Sequence, residues 1–247
     1  MYRAMIAKEV TYQGYEGVQK NAYYARPEDN KLIGGVVFIH HLPGWTELCI
    51  ETVRRLAHHG FAAISPNMYA AYGEGDPDDI GARARADGGV SDEQMLGDVT
   101  GAMSYLRELP ECNGKVAVMG FCSGGRHAYL AACRIQEFDA AIDCWGGRVV
   151  VTNPKDLNDR HPIAPIEYTK DLNCPLLGLF GNDDKEPDPA QVDLTEKRLK
   201  SLHKNYEFHR YDGAGHGFFD WTRPHYRPEQ AMDGWKRVVS FLQRTIA

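Results

Sequence analysis

The hexapeptide Gly120-Phe121-Cys122-Ser123-Gly124-Gly125 lies between an apolar run and a helix-forming one, and it restricts the fold more than any other stretch of this chain. A reactive residue on so tight a strand-to-helix turn has strained backbone angles, and side chains two residues to either side would collide. Glycines at 120 and 124 remove that collision. The turn lifts Cys122 clear of a sheet and aims the first free N–H groups of the following helix at whatever the thiol attacks. The other five cysteines, Cys49, Cys112, Cys133, Cys144 and Cys174, sit in strand-like or helix-like runs without metal-ligand spacing and read as small buried hydrophobes.

A nucleophile of this kind needs a base within reach and an acid to orient that base, in the chain order nucleophile, acid, base. Downstream, the apolar run 175–180 leads into Gly181-Asn182-Asp183-Asp184, and the strand-like run 206–211 leads into Gly213-Ala214-Gly215-His216-Gly217-Phe218. His216 is the candidate base. Two adjacent aspartates leave the register of the acid open, and the Gly-x-x-Asp spacing favours Asp184 over Asp183. All three positions follow strands, at the sheet edge where open α/β folds keep their sites. One oxyanion donor is expected from the Ser123 N–H and the other from the loop after the strand 35–39. There Pro43 lacks an N–H and holds its predecessor extended, which singles out the N–H of Leu42.

Apolar runs alternate with helical ones through most of the chain, the pattern of a mostly parallel sheet covered on both faces. Strands are predicted over 18–25, 35–39, 61–65, 115–119, 138–145, 175–180 and 206–211. Helices are predicted over 46–59, from a Ser91-Asp92-Glu93-Gln94 capping box to 109, directly after Cys122, over 189–203 and over 229–243. Two stretches break the alternation: 67–90, rich in Gly, Asp and Ala, and 146–173, with prolines at 154, 162 and 165. Both read as long loops shaping a pocket. Trp45, Tyr69, Tyr72, Trp145, Phe218, Phe219 and Trp221 flank the catalytic segments and suggest an aromatic-walled cleft, and Arg83, Arg85, Arg126 and Arg148 are candidates for holding a substrate carboxylate.

Taken together, these segments resemble the dienelactone hydrolase family of the α/β-hydrolase superfamily. The resemblance runs from Gly14-Tyr15-Glu16-Gly17 through 60–69 and the Gly-x-Cys-x-Gly-Gly elbow to 213–218. It implies an α/β-hydrolase fold, with Cys122 as nucleophile, Asp184 as acid and His216 as base, acting on carboxylic esters or lactones through a thioester without metal or organic cofactor. Two positions depart from the family pattern. His41 stands where the best-known members place a glutamate against the resting thiol, so thiol tuning falls to an imidazole. Asp220 stands where they carry an arginine for the substrate carboxylate, so dienelactone itself is not carried over.

With 247 residues, 43% of them hydrophobic, the chain can bury one substantial core, and a single domain over 1–247 is expected. A formal charge of −6 with no basic cluster gives no reason to expect nucleic acid. The segment Met1 to Glu9 lacks the apolar stretch of a signal peptide, and no run of roughly 18 apolar residues occurs. A cytoplasmic protein, monomer or homodimer, follows as the expectation, and an unpaired reactive cysteine suits a reducing compartment. Rival chemistries fit less well. Amidotransferase-like cysteine elbows place His after the Cys, where Ser123 stands, and His40, His41, His58 and His59 lack zinc-ligand spacing. A non-catalytic binding protein on the same fold would have no use for three such residues in order.

Overall fold

In a computed structural model that describes residues 4–29 and 31–247, eight strands form one sheet in the order β1-β2-β4-β3-β5-β6-β7-β8. The first three residues of the segment Met1 to Glu9 considered above lie outside the described residues. The strands are β1 (Met5–Gln13), β2 (Gln19–Pro27), β3 (Ile33–Ile39), β4 (Ala62–Pro66), β5 (Cys112–Phe121), β6 (Ala140–Cys144), β7 (Leu176–Gly181) and β8 (Tyr206–Tyr211). β1 and β2 pair antiparallel, as do β2 and β4, and all other pairs are parallel. Chain order reverses around β3, which has β4 on one side and β5 on the other. A crevice therefore opens beyond the carboxyl ends of β3 and β5, the position where open α/β sheets bind ligands. Ile39 pairs with Gly120, which brings the loop after β3 alongside the Cys122 turn.

The helices are α1 (Glu47–His58), α2 (Pro77–Ala86), α3 (Asp92–Arg107), α4 (Ser123–Arg134), α5 (Pro189–Ser201) and α6 (Pro228–Thr245). Every residue of β3 is buried, and successive side chains alternate faces as a two-residue period requires. Val37 and Ile39 join the core that holds Met95 and Leu106 of α3 and Ala128 of α4. Val36 and Phe38 join the opposite core, with Leu48 and Val53 of α1 and Trp235 and Phe241 of α6. A sheet covered on both faces is the result.

Two elements were not expected. β1 is a half-exposed edge strand whose alternation of Lys8, Glu9 and Thr11 with apolar residues is too weak to stand out in the sequence. α2 occupies part of the stretch read as a loop. It buries only Gly81 and Ala84, and Asp76 caps it by accepting the Asp78 N–H at 2.9 Å, with Pro77 in the first turn. Small residues let this helix press on the loop after β3: a Cβ at Gly81 would lie 2.8 Å from the Leu42 carbonyl oxygen and 2.9 Å from Pro43 Cα. At α3 only half of the expected capping box forms. The Ser91 hydroxyl accepts the Gln94 N–H at 3.2 Å, but the Gln94 amide turns to Asp98. The complete box is at α5, between Asp188 and Gln191.

Candidate active site

Cys122 follows the last residue of β5 and precedes the first residue of α4, with φ 56° and ψ −120°, a left-handed conformation costly for any residue with a side chain. Several contacts hold it there. Its N–H donates to the Cys144 carbonyl at 3.0 Å, and its own carbonyl accepts the Arg126 N–H at 3.2 Å. A Cβ at Gly120 would strike the Gly124 carbonyl, and one at Gly124 would strike the Ile39 carbonyl, so both glycines are required by backbone rather than by any adaptable side chain.

Asp184 lies in the loop after β7 and His216 in the loop after β8, between Gly213 and Gly217, both at φ 71°. The His216 Nδ1–H donates to Asp184 Oδ2 at 2.9 Å, and Asp184 Oδ1 accepts the Glu186 N–H at 3.0 Å. Asp183 is exposed, and its N–H ties the loop to the Ala214 carbonyl at 2.9 Å. Nδ1 being engaged by Asp184, Nε2 is left to face the thiol. Burial works against a charged His216, but its bonds to Asp184 and Cys122 and the charges of both groups outweigh burial and raise it to about 10. The side chain of Asp184 is 2% exposed and that of His216 40%, so the carboxylate is shielded while water can reach the imidazole.

Cys122 opens into a cavity of about 390 Å³ to which Leu42, Ser123, Tyr69 and Arg85 contribute. Arg126 and His161 also line it, joined through Asp92. Arg126 donates from Nη1 and Nη2 to the two Asp92 oxygens at 2.6 and 3.1 Å, and His161 Nδ1 meets Asp92 Oδ1 at 3.0 Å. Although burial opposes its charge, these hydrogen bonds hold the Asp92 carboxyl down at about 2. The Asp92 N–H donates to the Arg160 carbonyl at 2.9 Å, and Arg160 donates to the Gly89 carbonyl at 2.8 Å, which straps the 158–161 turn over the start of α3. Asp92 and His161 went unnoticed in the sequence, because Asp92 reads there as part of a helix cap and His161 lies in a stretch with no periodicity.

Several residues expected near the substrate lie elsewhere. Trp145 (1% exposed) and Phe218 (0%) are core: Trp145 stacks on Phe121 and packs against Phe218 and Phe219 beneath the elbow. Trp45 packs against the same core with its indole N–H buried and unpaired. Arg83 donates to the Tyr72 carbonyl at 3.1 Å, away from the cavity. Arg148 contributes to the cavity wall, but its guanidinium is held by the Asp156 carbonyl. His41 is not turned to the thiol. Its Nε2 is hydrogen-bonded to the Thr46 hydroxyl at 2.8 Å, and burial together with the neighbouring His40 lowers it to about 4, so it carries no charge with which to bias Cys122. Asp220, 6% exposed, accepts the Thr222 N–H and hydroxyl. Among the described residues no three His, Cys, Asp or Glu side chains converge as metal ligands, and no helix is long and apolar enough to cross a membrane.

Behind the elbow, Asp143 on β6 is 1% exposed, and its Oδ1 accepts the Gly146 N–H at 2.8 Å. Burial pushes this carboxyl up to about 7 despite that bond. The folded protein therefore holds a proton there that the unfolded chain has released above roughly pH 4, and stability from this group falls as pH rises from about 4 to about 7. Asp143→Asn is expected to remove that fall. The melting temperature of the variant relative to wild type should rise between pH 5 and pH 8, and an offset that does not change with pH would mean that Asp143 is ionised in the fold.

This sheet, its strand-end loops and the cysteine elbow define an α/β-hydrolase, and Pyrococcus horikoshii acylaminoacyl peptidase shares the fold at a TM-score of 0.77 and 18% identity, over 99% of this chain and 42% of that one. The chain belongs to the dienelactone hydrolase family, whose family model matches residues 21–246. A protein of Escherichia coli strain K12 to which carboxymethylenebutenolidase activity is attributed is 31% identical over 234 residues, 93% of this chain and 84% of that one. A crystal structure from Klebsiella pneumoniae, described as a dienelactone hydrolase by attribution, superposes at a TM-score of 0.87 with 29% identity, covering 96% of this chain and 98% of that one. The chain is accordingly a hydrolase of ester or lactone bonds in small molecules.

Proposed function

We propose that the chain hydrolyses carboxylic esters or lactones by acyl transfer to the Cys122 sulfur. The carrying observation is the imidazole of His216, fixed at Nδ1 by the shielded Asp184 carboxylate and interacting with Cys122. In this reading His216 takes the Cys122 thiol proton, the sulfur attacks the ester carbonyl, and the carbon–oxygen double bond opens to an oxyanion, which accepts from the N–H groups of Leu42 and Ser123. Collapse of the tetrahedral intermediate expels the alkoxide, which takes the proton from His216, and leaves a thioester on Cys122. Water then loses a proton to His216 and adds to the thioester carbon, and the thiol departs as the carboxylic acid forms. A lactone fits these steps because its leaving oxygen stays tethered and needs a proton promptly.

Short aryl esters and unsaturated lactones, assayed with Cys122→Ser as control, test the reading. Intact-mass spectrometry of the wild type mixed with a slow ester should record one acyl group on the peptide containing Cys122. An acyl group elsewhere, or none during turnover, would reject the thioester.

The role of Asp184 has its own test. Asp184→Asn removes a contribution that raises His216, so the imidazole should deprotonate at lower pH in long-range proton–nitrogen spectra. The same exchange should lower kcat by about 10²–10⁴-fold. An unmoved imidazole titration would dissociate the two side chains.

A further inference from the structure

We propose that Tyr69 is a catalytic residue, its phenol hydroxyl supplying a third hydrogen bond to the oxyanion beside the N–H groups of Leu42 and Ser123. This inference rests on the Cys122 reading above. Tyr69 is 6% exposed, yet it forms part of the wall of the cavity into which Cys122 opens. Its ring is held on three sides by the loop after β3 and by its own segment. The His40 ring stands edge-on to it at 4.6 Å, Tyr72 does so at 6.0 Å, and Gly44 leaves so little room that a Cβ there would come within 3.1 Å of Tyr69 Cδ2. The Tyr69 N–H donates to Asn67 Oδ1 at 3.1 Å.

His40 fixes this arrangement to the oxyanion loop. Its Nδ1–H donates to the His41 carbonyl at 2.7 Å, and its Nε2 accepts the Met68 N–H at 3.3 Å, so a single neutral tautomer bridges the loop carrying Leu42 to the segment carrying Tyr69. Burial keeps that imidazole neutral, down at about 4. The segment carrying Tyr69 therefore cannot drift from the loop carrying Leu42 without breaking a buried contact. Burial, and then the charge of Cys122, push the phenol well above its ordinary titration range, so it stays a proton-bearing donor throughout the working range. A preorganised donor is worth most where charge develops during reaction.

An aryl trifluoromethyl ketone provides the test, because a thiol adds to it reversibly and the adduct oxygen mimics the oxyanion. Wild type should form an adduct, visible by fluorine NMR, that Cys122→Ala does not form. Tyr69→Phe keeps the ring and its packing, so its melting temperature should match wild type. It should bind the ketone at least about 10-fold more weakly, raise the titration of the adduct oxygen and lower kcat by up to about 10²-fold with KM little changed. Alkylation of Cys122 by iodoacetamide, which creates no oxyanion, should proceed at the wild-type rate. Equal ketone affinity and equal adduct titration in Tyr69→Phe would overturn the role of the phenol while leaving the thiol chemistry standing. Absence of any Cys122-dependent adduct in wild type would overturn the Cys122 reading and this inference with it.

Discussion

Cys122→Ala should fold as the wild type does and lose ester or lactone turnover by about 10⁴-fold or more. The two halves of that expectation have separate physical origins. Cys122 is only partly buried and packs at the margin of the core on the α1 and α6 face, so truncating its side chain opens little cavity. Its backbone remains held by the Cys144 carbonyl and the Arg126 N–H, neither of which depends on sulfur. In the proposed mechanism catalysis loses its nucleophile, and the N–H donors and His216 can then assist only a water attack. Steady-state kinetics with a short aryl ester, alongside a melting curve, measures both halves. Turnover within about 10-fold of wild type would place the nucleophile elsewhere.

A second large effect is expected from one methyl group. Gly120→Ala sets a Cβ against the Gly124 carbonyl and the Gly125 nitrogen, both backbone atoms in the first turn of α4. Either the end of β5 or the start of the helix must shift, so the variant should lose about 3 kcal/mol or more and most of its activity. Gly215→Ala is the matched control. Its Cβ would meet the Asp183 carbonyl oxygen at 3.6 Å, an ordinary contact, and urea unfolding should find it near wild type. Similar stability for both variants would mean that the elbow accommodates a side chain.

Much of this architecture is written locally. β3 and the second part of β5, from Val116 to Phe121, are continuous apolar runs, buried on both faces, and the Gly-x-Cys-x-Gly-Gly turn carries its steric reason within six residues. The pairing of Asp184 rather than Asp183 with His216 is also foreshadowed by spacing, but only coordinates show that one carboxyl is shielded and the other exposed. Other features depend on contacts between distant segments. Trp145 and Phe218 flank catalytic segments in sequence just as a substrate wall would, but both point into the core, where four aromatic rings lock together under the elbow. His41 sits beside the oxyanion loop, but whether its ring reaches Cys122 or Thr46 is decided by the direction the loop takes. The link from Arg126 through Asp92 to His161 joins residues that lie 34 and 69 positions from Asp92, beyond the reach of any periodicity. α2 hides because its contact face is a glycine and an alanine, which look like loop composition and serve as a close-packing surface.

The cavity has a divided construction. Cys122, Asp184 and His216 hang from the ends of β5, β7 and β8, while the opposite ceiling comes from the stretch 146–173, which contributes no strand to the sheet. That stretch is tied to the frame at separate points, by His161 on Asp92, by Thr169 on the Tyr129 hydroxyl and by the Arg148 N–H on Glu186. Exchanging or lengthening that ceiling would change what fits inside without moving sulfur, imidazole or carboxyl. A scaffold built this way can diversify its diet while its chemistry stays fixed.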